Sequence, residues 1–159
     1  MAKSKQNSMD FSGMELEAAD VTLTGDLVVA GAINGQSTAS TVTDNTTLTA
    51  ANSGTTYFIA TDAKTFSLPA CTTAGAGTWY RFVNSGADGN NIITISPSGT
   101  DAIWGTITLA ASVVDLGGGA GKDLINTKGT SIKGDSVTIM TDGTAWFVLA
   151  STGIWAAEA

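Results

Sequence analysis

The sequence predicts an all-β fold: a β-sandwich or jelly-roll-like domain preceded by an extended N-terminal arm and a small β-hairpin stem. Three observations carry this. The first is the stretch over 134–155, GDSVTIMTDGTAWFVLASTGIW. Val137 and Ile139 alternate with Thr138 and Met140, Asp142-Gly143 interrupts, and Trp146, Val148 and Ala150 alternate with Phe147 and Leu149. Two period-two runs about Asp-Gly signal a hairpin, and Asp and Gly both tolerate the positive φ of a type I′ turn. The second run is apolar on both faces, which predicts a strand buried between two layers, in the middle of a sandwich and not at its edge. The second observation is composition. Only 13% of the 159 residues are charged, about half the usual share, while Gly, Thr, Ala and Ser abound. That balance suits strands joined by tight turns. The third is spacing: roughly nine short strands follow residue 45, with no helix-period segment among them.

In chain order, residues 1–20 form a polar arm. Its large apolar side chains after Met9 are Phe11, Met14 and Leu16, with Lys3 and Lys5 near the start. It reads either as a disordered tail or as an arm that orders on a partner surface, anchored by those side chains. Residues 21–35, VTLTGDLVVAGAING, place Val21, Leu23, Leu27, Val29 and Ile33 around Gly25-Asp26. An isolated two-stranded hairpin is marginal in water, so this segment is expected to bury its apolar face either on the domain or on identical copies in other chains, as a trimer seam. Residues 36–45, QSTASTVTDN, are small and polar and read as a linker. The domain then occupies 46–159. Strands are expected at 46–49, 55–60, 65–68, 77–84, 92–96, 103–104, 106–110 and 113–116, before a glycine-rich break at 117–121 and the closing hairpin. Pro69 and Pro97 end the strands before them. About 110 residues are enough for one hydrophobic core.

Several function classes are disfavoured. The net charge is −7, and seven Lys and Arg scattered along the chain make no basic stripe, so direct nucleic-acid binding is not expected. No run approaches the ~18 apolar residues of a membrane span, and MAKSKQNSMD lacks the apolar core of a secretory signal. The absence of histidine removes Ser-His-Asp and Cys-His pairs, and Cys71 is a lone thiol with no base beside it. Gly117-Gly-Gly-Ala-Gly-Lys-Asp123 departs twice from the phosphate loop: Leu116 stands where its first glycine would be, and Asp123 replaces the magnesium-binding hydroxyl. Asp62, Asp88, Asp101, Asp115, Asp135 and Asp142 are spread singly among turns, where Asx turns account for most of them. No catalytic, cofactor-binding or metal-binding residues are predicted. Of the four tryptophans, Trp79 and Trp146 lie within strand patterns and are expected in the core. Trp104 and Trp155 sit at strand ends, where exposure would suit an interface or a sugar.

The stretch TLTAANSGTTYFIATDAKTFSLPACTTAGAGTWYRFVNSGADGNNIITISPSGTDAIWG (47–105) and the ending SVTIMTDGTAWFVLASTGIW resemble a module of tailed-phage structural proteins. VTLTGDLVVAGAING resembles the short turn repeats of trimeric phage fibre stems. The resemblance implies a non-enzymatic virion protein. The short chain, with no long shaft, points to a capsid decoration (cement) protein on the outer capsid surface. Such a protein would bind the major capsid protein as a homotrimer, with Lys3, Lys5, Phe11, Met14 and Leu16 as capsid contacts. The alternative is a fibre or host-attachment protein that binds a host glycan near Trp104 or Trp155.

Overall fold

The computed structural model describes residues 38–109 and 112–158. The arm over 1–20 and the stem over 21–35 lie outside the described residues. Among these residues thirteen strands and two helical turns follow in order: β1 (Ala39–Val42), β2 (Thr46–Thr47), a 3-10 turn (Ala50–Asn52), β3 (Thr55–Ile59), β4 (Lys64–Ser67), α1 (Cys71–Ala74), β5 (Trp79–Asn84), β6 (Ile93–Ser96), β7 (Ile103–Trp104), β8 (Thr106–Leu109), β9 (Ser112–Asp115), β10 (Leu124–Asn126), β11 (Ser136–Thr141), β12 (Trp146–Thr152) and β13 (Trp155–Ala157). The fold is all-β, as the strand patterns predict. A six-stranded sheet runs β1-β3-β5-β11-β12-β7, a five-stranded sheet runs β13-β10-β6-β4-β2, and β8-β9 form a separate ribbon.

The first six strands alternate between the two large sheets. In the six-stranded sheet β1 pairs with β3 and β3 with β5; in the other, β2 pairs with β4 and β4 with β6. All four pairings are parallel. The chain is thus wound through three turns of a flattened coil, one strand per sheet per turn. Antiparallel strands then complete both layers: β11 joins β5 and β12, while β10 joins β6 and β13.

Period-two alternation fixes which side chains meet between the layers. Tyr57, Ile59, Tyr80, Phe82, Val137, Ile139 and Trp146 point inward from one sheet, and Phe66, Ile93, Ile95, Leu124 and Trp155 from the other; all are buried. Phe66 sits edge-on to Phe82 across the layers, with ring centroids 5.0 Å apart, and Tyr57 lies within 5.7 Å of both.

Four local expectations are corrected. Residues 39–42, expected as linker, form β1. Its inward positions, Ser40 and Val42, lie beside Tyr57 and Ile59 of β3, so only one apolar residue marks the strand. The closing hairpin has no two-residue type I′ turn. Thr141 pairs with Trp146, which leaves four residues in the loop, and Asp142 does not adopt a positive φ. Its carboxylate shapes the loop instead: Oδ1 accepts from the Thr144 N–H at 2.7 Å and the Ala145 N–H at 2.9 Å. β12 is not buried on both faces, since Leu149 is 57% exposed; a register shift at this level of the pair leaves Leu149 as an extra residue. Finally, Trp155 is fully buried at its strand start. Its Nε1 donates to the Thr152 carbonyl at 3.0 Å.

Candidate interaction surface

The outward face of the six-stranded sheet is unusually apolar. Register aligns Trp104 of β7, Phe147 of β12, Met140 of β11 and Trp79 of β5 in one row across four strands. Strand pairing puts all four on the side opposite the core residues Tyr80, Ile139 and Trp146. Leu149 stands beside this row, and Phe58 and Val83 pair two rows further along. Phe58, Trp104, Phe147 and Leu149 are all exposed. Among these outward strand positions the one charge is Arg81, which faces Thr138. A sheet face that meets solvent is ordinarily polar, and a contiguous apolar patch marks an interaction site.

Trp104 is fixed in place. Its indole lies against Gly118 so closely that a Cβ there would fall 2.0 Å from Cε2. The glycine-rich segment that superficially resembles a phosphate loop is therefore a seat for this ring. It is also held at Gly121, whose N–H donates to the Asp101 carbonyl at 2.9 Å, and no helix follows it. Trp79, expected in the core, is instead part of the outer row and only partly buried. Beside Met140 and Phe147 opens a cleft of about 270 Å³, walled by Gly77, Met140, Phe147 and Leu149 with Asp142 at its rim. A second hollow, of about 470 Å³, lies by β1 and β2 and is lined mostly by hydroxyls, among them Ser40, Thr41, Thr46, Thr47 and Thr55.

The six aspartates expected in turns all accept backbone N–H bonds, three of them over long range and Asp115, Asp135 and Asp142 from within three residues. Asp62 accepts from Ile92 N–H and Asp101 from Cys71 N–H, each at 2.8 Å. Asp88 accepts from Lys133 N–H at 2.8 Å. Only Asp115 and Asp142 make the short-range bonds of Asx type, to Gly117 and Thr144. Asp62 is also paired with Lys128, which together with the Ile92 N–H holds its carboxyl below the usual carboxylate range.

Sequence reading missed one polar cluster. Asn84, Asn91, Asn126 and Asp135 are buried and bonded in series. Asn91 Nδ2 donates to Asn84 Oδ1 at 3.1 Å, Asn84 Nδ2 to Asn126 Oδ1 at 3.2 Å, and Asn126 Nδ2 to Asp135 Oδ2 at 2.9 Å. Because Asn84 ends β5 and Asn126 ends β10, the series ties the two layers together. The available signal was an asparagine at the next inward position after Phe82 and after Leu124.

Cys71 is buried, and burial pushes its thiol up to about 11, so it is held protonated and unreactive at neutral pH. Among the described residues, no three His, Cys, Asp or Glu side chains are placed to hold a metal ion. No helix among them is long and apolar enough to cross a membrane. The expected capsid contacts Lys3, Lys5, Phe11, Met14 and Leu16, and the expected seam Val21, Leu23, Leu27, Val29 and Ile33, lie outside the described residues. The chain matches no protein-family model and no curated protein.

Proposed function

We propose that this chain is a non-enzymatic structural protein of a tailed-phage virion, a cement protein that decorates the outer capsid surface as a trimer and stabilises it. The observation that supports a structural, contact-making role is the outer face of the six-stranded sheet. Aromatic residues, methionine and arginine with few other charges are the composition of protein-contact surfaces, and catalysis has no use for such a face. In this reading the arm over 1–20 engages the major capsid protein, the segment over 21–35 joins three copies, and the β domain stands outward. Three modest contacts held together resist separation far better than one alone. Gold-labelled antibody against the chain, applied to purified virions of the virus that encodes it, tests the proposal. Label spread over the heads is the expected result; unlabelled heads, or label confined to tails, would overturn it.

One observation favours a second reading, host-glycan attachment: Trp104 presents an exposed indole backed by Gly118. Such a fixed ring suits stacking against a sugar. Binding on a glycan array that is lost in Trp104→Ala would support it.

A further inference from the structure

We infer that the apolar face of the six-stranded sheet pairs with the same face of a second copy of this chain, about a two-fold axis running along the Trp104–Phe147–Met140–Trp79 row. The inference rests on the reading of this face as a protein contact and names its partner.

Charge placement selects the partner. Arg81 is the only charge among the outward strand positions of this face, and it makes no ion pair among the described residues. Covering it with a purely apolar surface would strip its hydration without compensation, so the partner must bring a carboxylate. Nucleic acid and anionic lipid are disfavoured because the chain is acidic overall, at −7. A glycan is disfavoured at the cleft because Gly77, Met140, Phe147 and Leu149 make up most of its wall and leave sugar hydroxyls only Thr141 and Asp142 as side-chain partners.

The chain itself carries the required carboxylate at the required place. Arg81 is level with Thr138, Trp79 is level with Met140, and Asp142 follows two residues beyond Met140 at the cleft rim. The Met140 row therefore lies between Arg81, about 7 Å away along the strands, and Asp142 in the loop that follows β11. A two-fold axis lying along that row in the contact plane reverses the strand direction and keeps the order of strands. It sets Arg81 of each copy over Asp142 of the other, offset by one strand, which is within reach of an arginine side chain. The three turn bonds to Asp142, from Thr144 N–H, Thr144 Oγ1 and Ala145 N–H, all fall on Oδ1. The two ion pairs flank an apolar centre of Met140 and Phe147. A two-fold contact of this kind is self-complementary, as isologous interfaces require.

Size sets the strength. From Trp104 to Phe58 along the strand order, and over the rows from Arg81 to Asp142, the footprint is about 270 Å². That is a third of the ~800 Å² per partner in stable complexes, so a single pairing is weak and depends on concentration.

Sedimentation equilibrium of the full chain from micromolar to millimolar concentration tests the inference, with circular dichroism confirming the fold of each variant. The apparent mass is expected to rise with concentration, doubling for a starting monomer and at least doubling for an assembly that carries the face in several copies. Arg81→Glu, at an exposed position, and Phe147→Ser, at the centre of the contact, should each abolish the rise. Adding Asp142→Lys to Arg81→Glu should restore it. A wild-type mass that does not change with concentration, or a rise that survives Arg81→Glu, would overturn the inference. Either result leaves the virion proposal standing, because that is judged by labelling of particles. Unlabelled heads from a chain that still pairs would sink the virion proposal alone.

Discussion

The two buried tryptophans of the closing segment provide a controlled comparison. Trp146 and Trp155 are both fully buried. Trp155 Nε1 donates to the Thr152 carbonyl, whereas Trp146 Nε1 is buried with no hydrogen-bond partner among the described residues. Replacing either by phenylalanine deletes the same atoms, a loss of about 1 kcal/mol of transfer energy plus a cavity contribution of similar size. The polar consequences then diverge. Trp146→Phe removes an unpaired buried donor, which returns about 1–3 kcal/mol, while Trp155→Phe loses a hydrogen bond to the carbonyl of the exposed Thr152, worth about 1 kcal/mol. Trp146→Phe is therefore expected to be close to neutral, and Trp155→Phe to destabilise by about 3 kcal/mol. Urea unfolding followed by far-ultraviolet circular dichroism reads both without relying on indole fluorescence. Equal losses for the two variants would mean that the Trp146 N–H is satisfied in solution, and the reasoning would fail.

Gly143→Val should cost about 1–2 kcal/mol through φ alone, because a Cβ at Gly143 meets only ordinary contacts near Ala76; an unchanged melting midpoint would contradict this. Cys71 should resist a thiol reagent at pH 8 in the folded chain and react in urea; rapid labelling without denaturant would mean its site opens readily. Asp62 and Asp142 have folded values below the ordinary 3.8, Asp62 through Lys128 and the Ile92 N–H, and Asp142 through the Thr144 hydroxyl and the Ala145 N–H. A depressed carboxylate stabilises above its unfolded value, so melting temperature should stay level down to about pH 4 and then fall as each folded value is passed; Asp62→Asn should shrink that fall, and an identical acid profile would refute its contribution. Deleting residues 1–20 should leave a folded domain that no longer binds undecorated capsids, with Phe11→Ala weakening binding more than Lys5→Ala; saturation of capsids by the truncated chain would move the contact to the rest of the molecule.

Strand existence was legible from alternation because each strand meets the core on one side, as Tyr80 and Phe82 do against Trp79, Arg81 and Val83. Pairing was not legible. Period two states which way a side chain points but not which strand lies alongside, so nothing in the sequence distinguished the parallel β3-β5 pair from a hairpin neighbour. β1 escaped notice because an edge strand with Ser40 and Val42 inward carries almost no apolar signal. The interaction face was hidden for a related reason. Phe147 and Leu149 look the same in sequence whether a second layer or solvent lies over them, and only the completed topology leaves that side of β12 uncovered. Trp79 lies outward against expectation, and Trp155, which the sequence left open, lies inward, because strand parity fixes a ring's side whereas nearness to a strand end does not.

The winding of the first six strands has a consequence in time. A chain that changes sheet after every strand cannot zip its neighbours together. Thr55 must wait for Tyr80 and Lys64 for Ile93, so each turn closes a loop before any pairing rewards it. The hairpin of β11 and β12 has local partners, but it is made last. As the chain leaves the ribosome, β3 to β6 emerge well ahead of β11, the strand that completes the far side of β5. Tyr57, Phe66, Phe82 and Ile95 therefore spend that interval without the finished second layer around them, the period in which exposed strand edges are most prone to join the wrong chain. Folding is thus commanded from the end of the sequence, and the half synthesised first is the half that must wait.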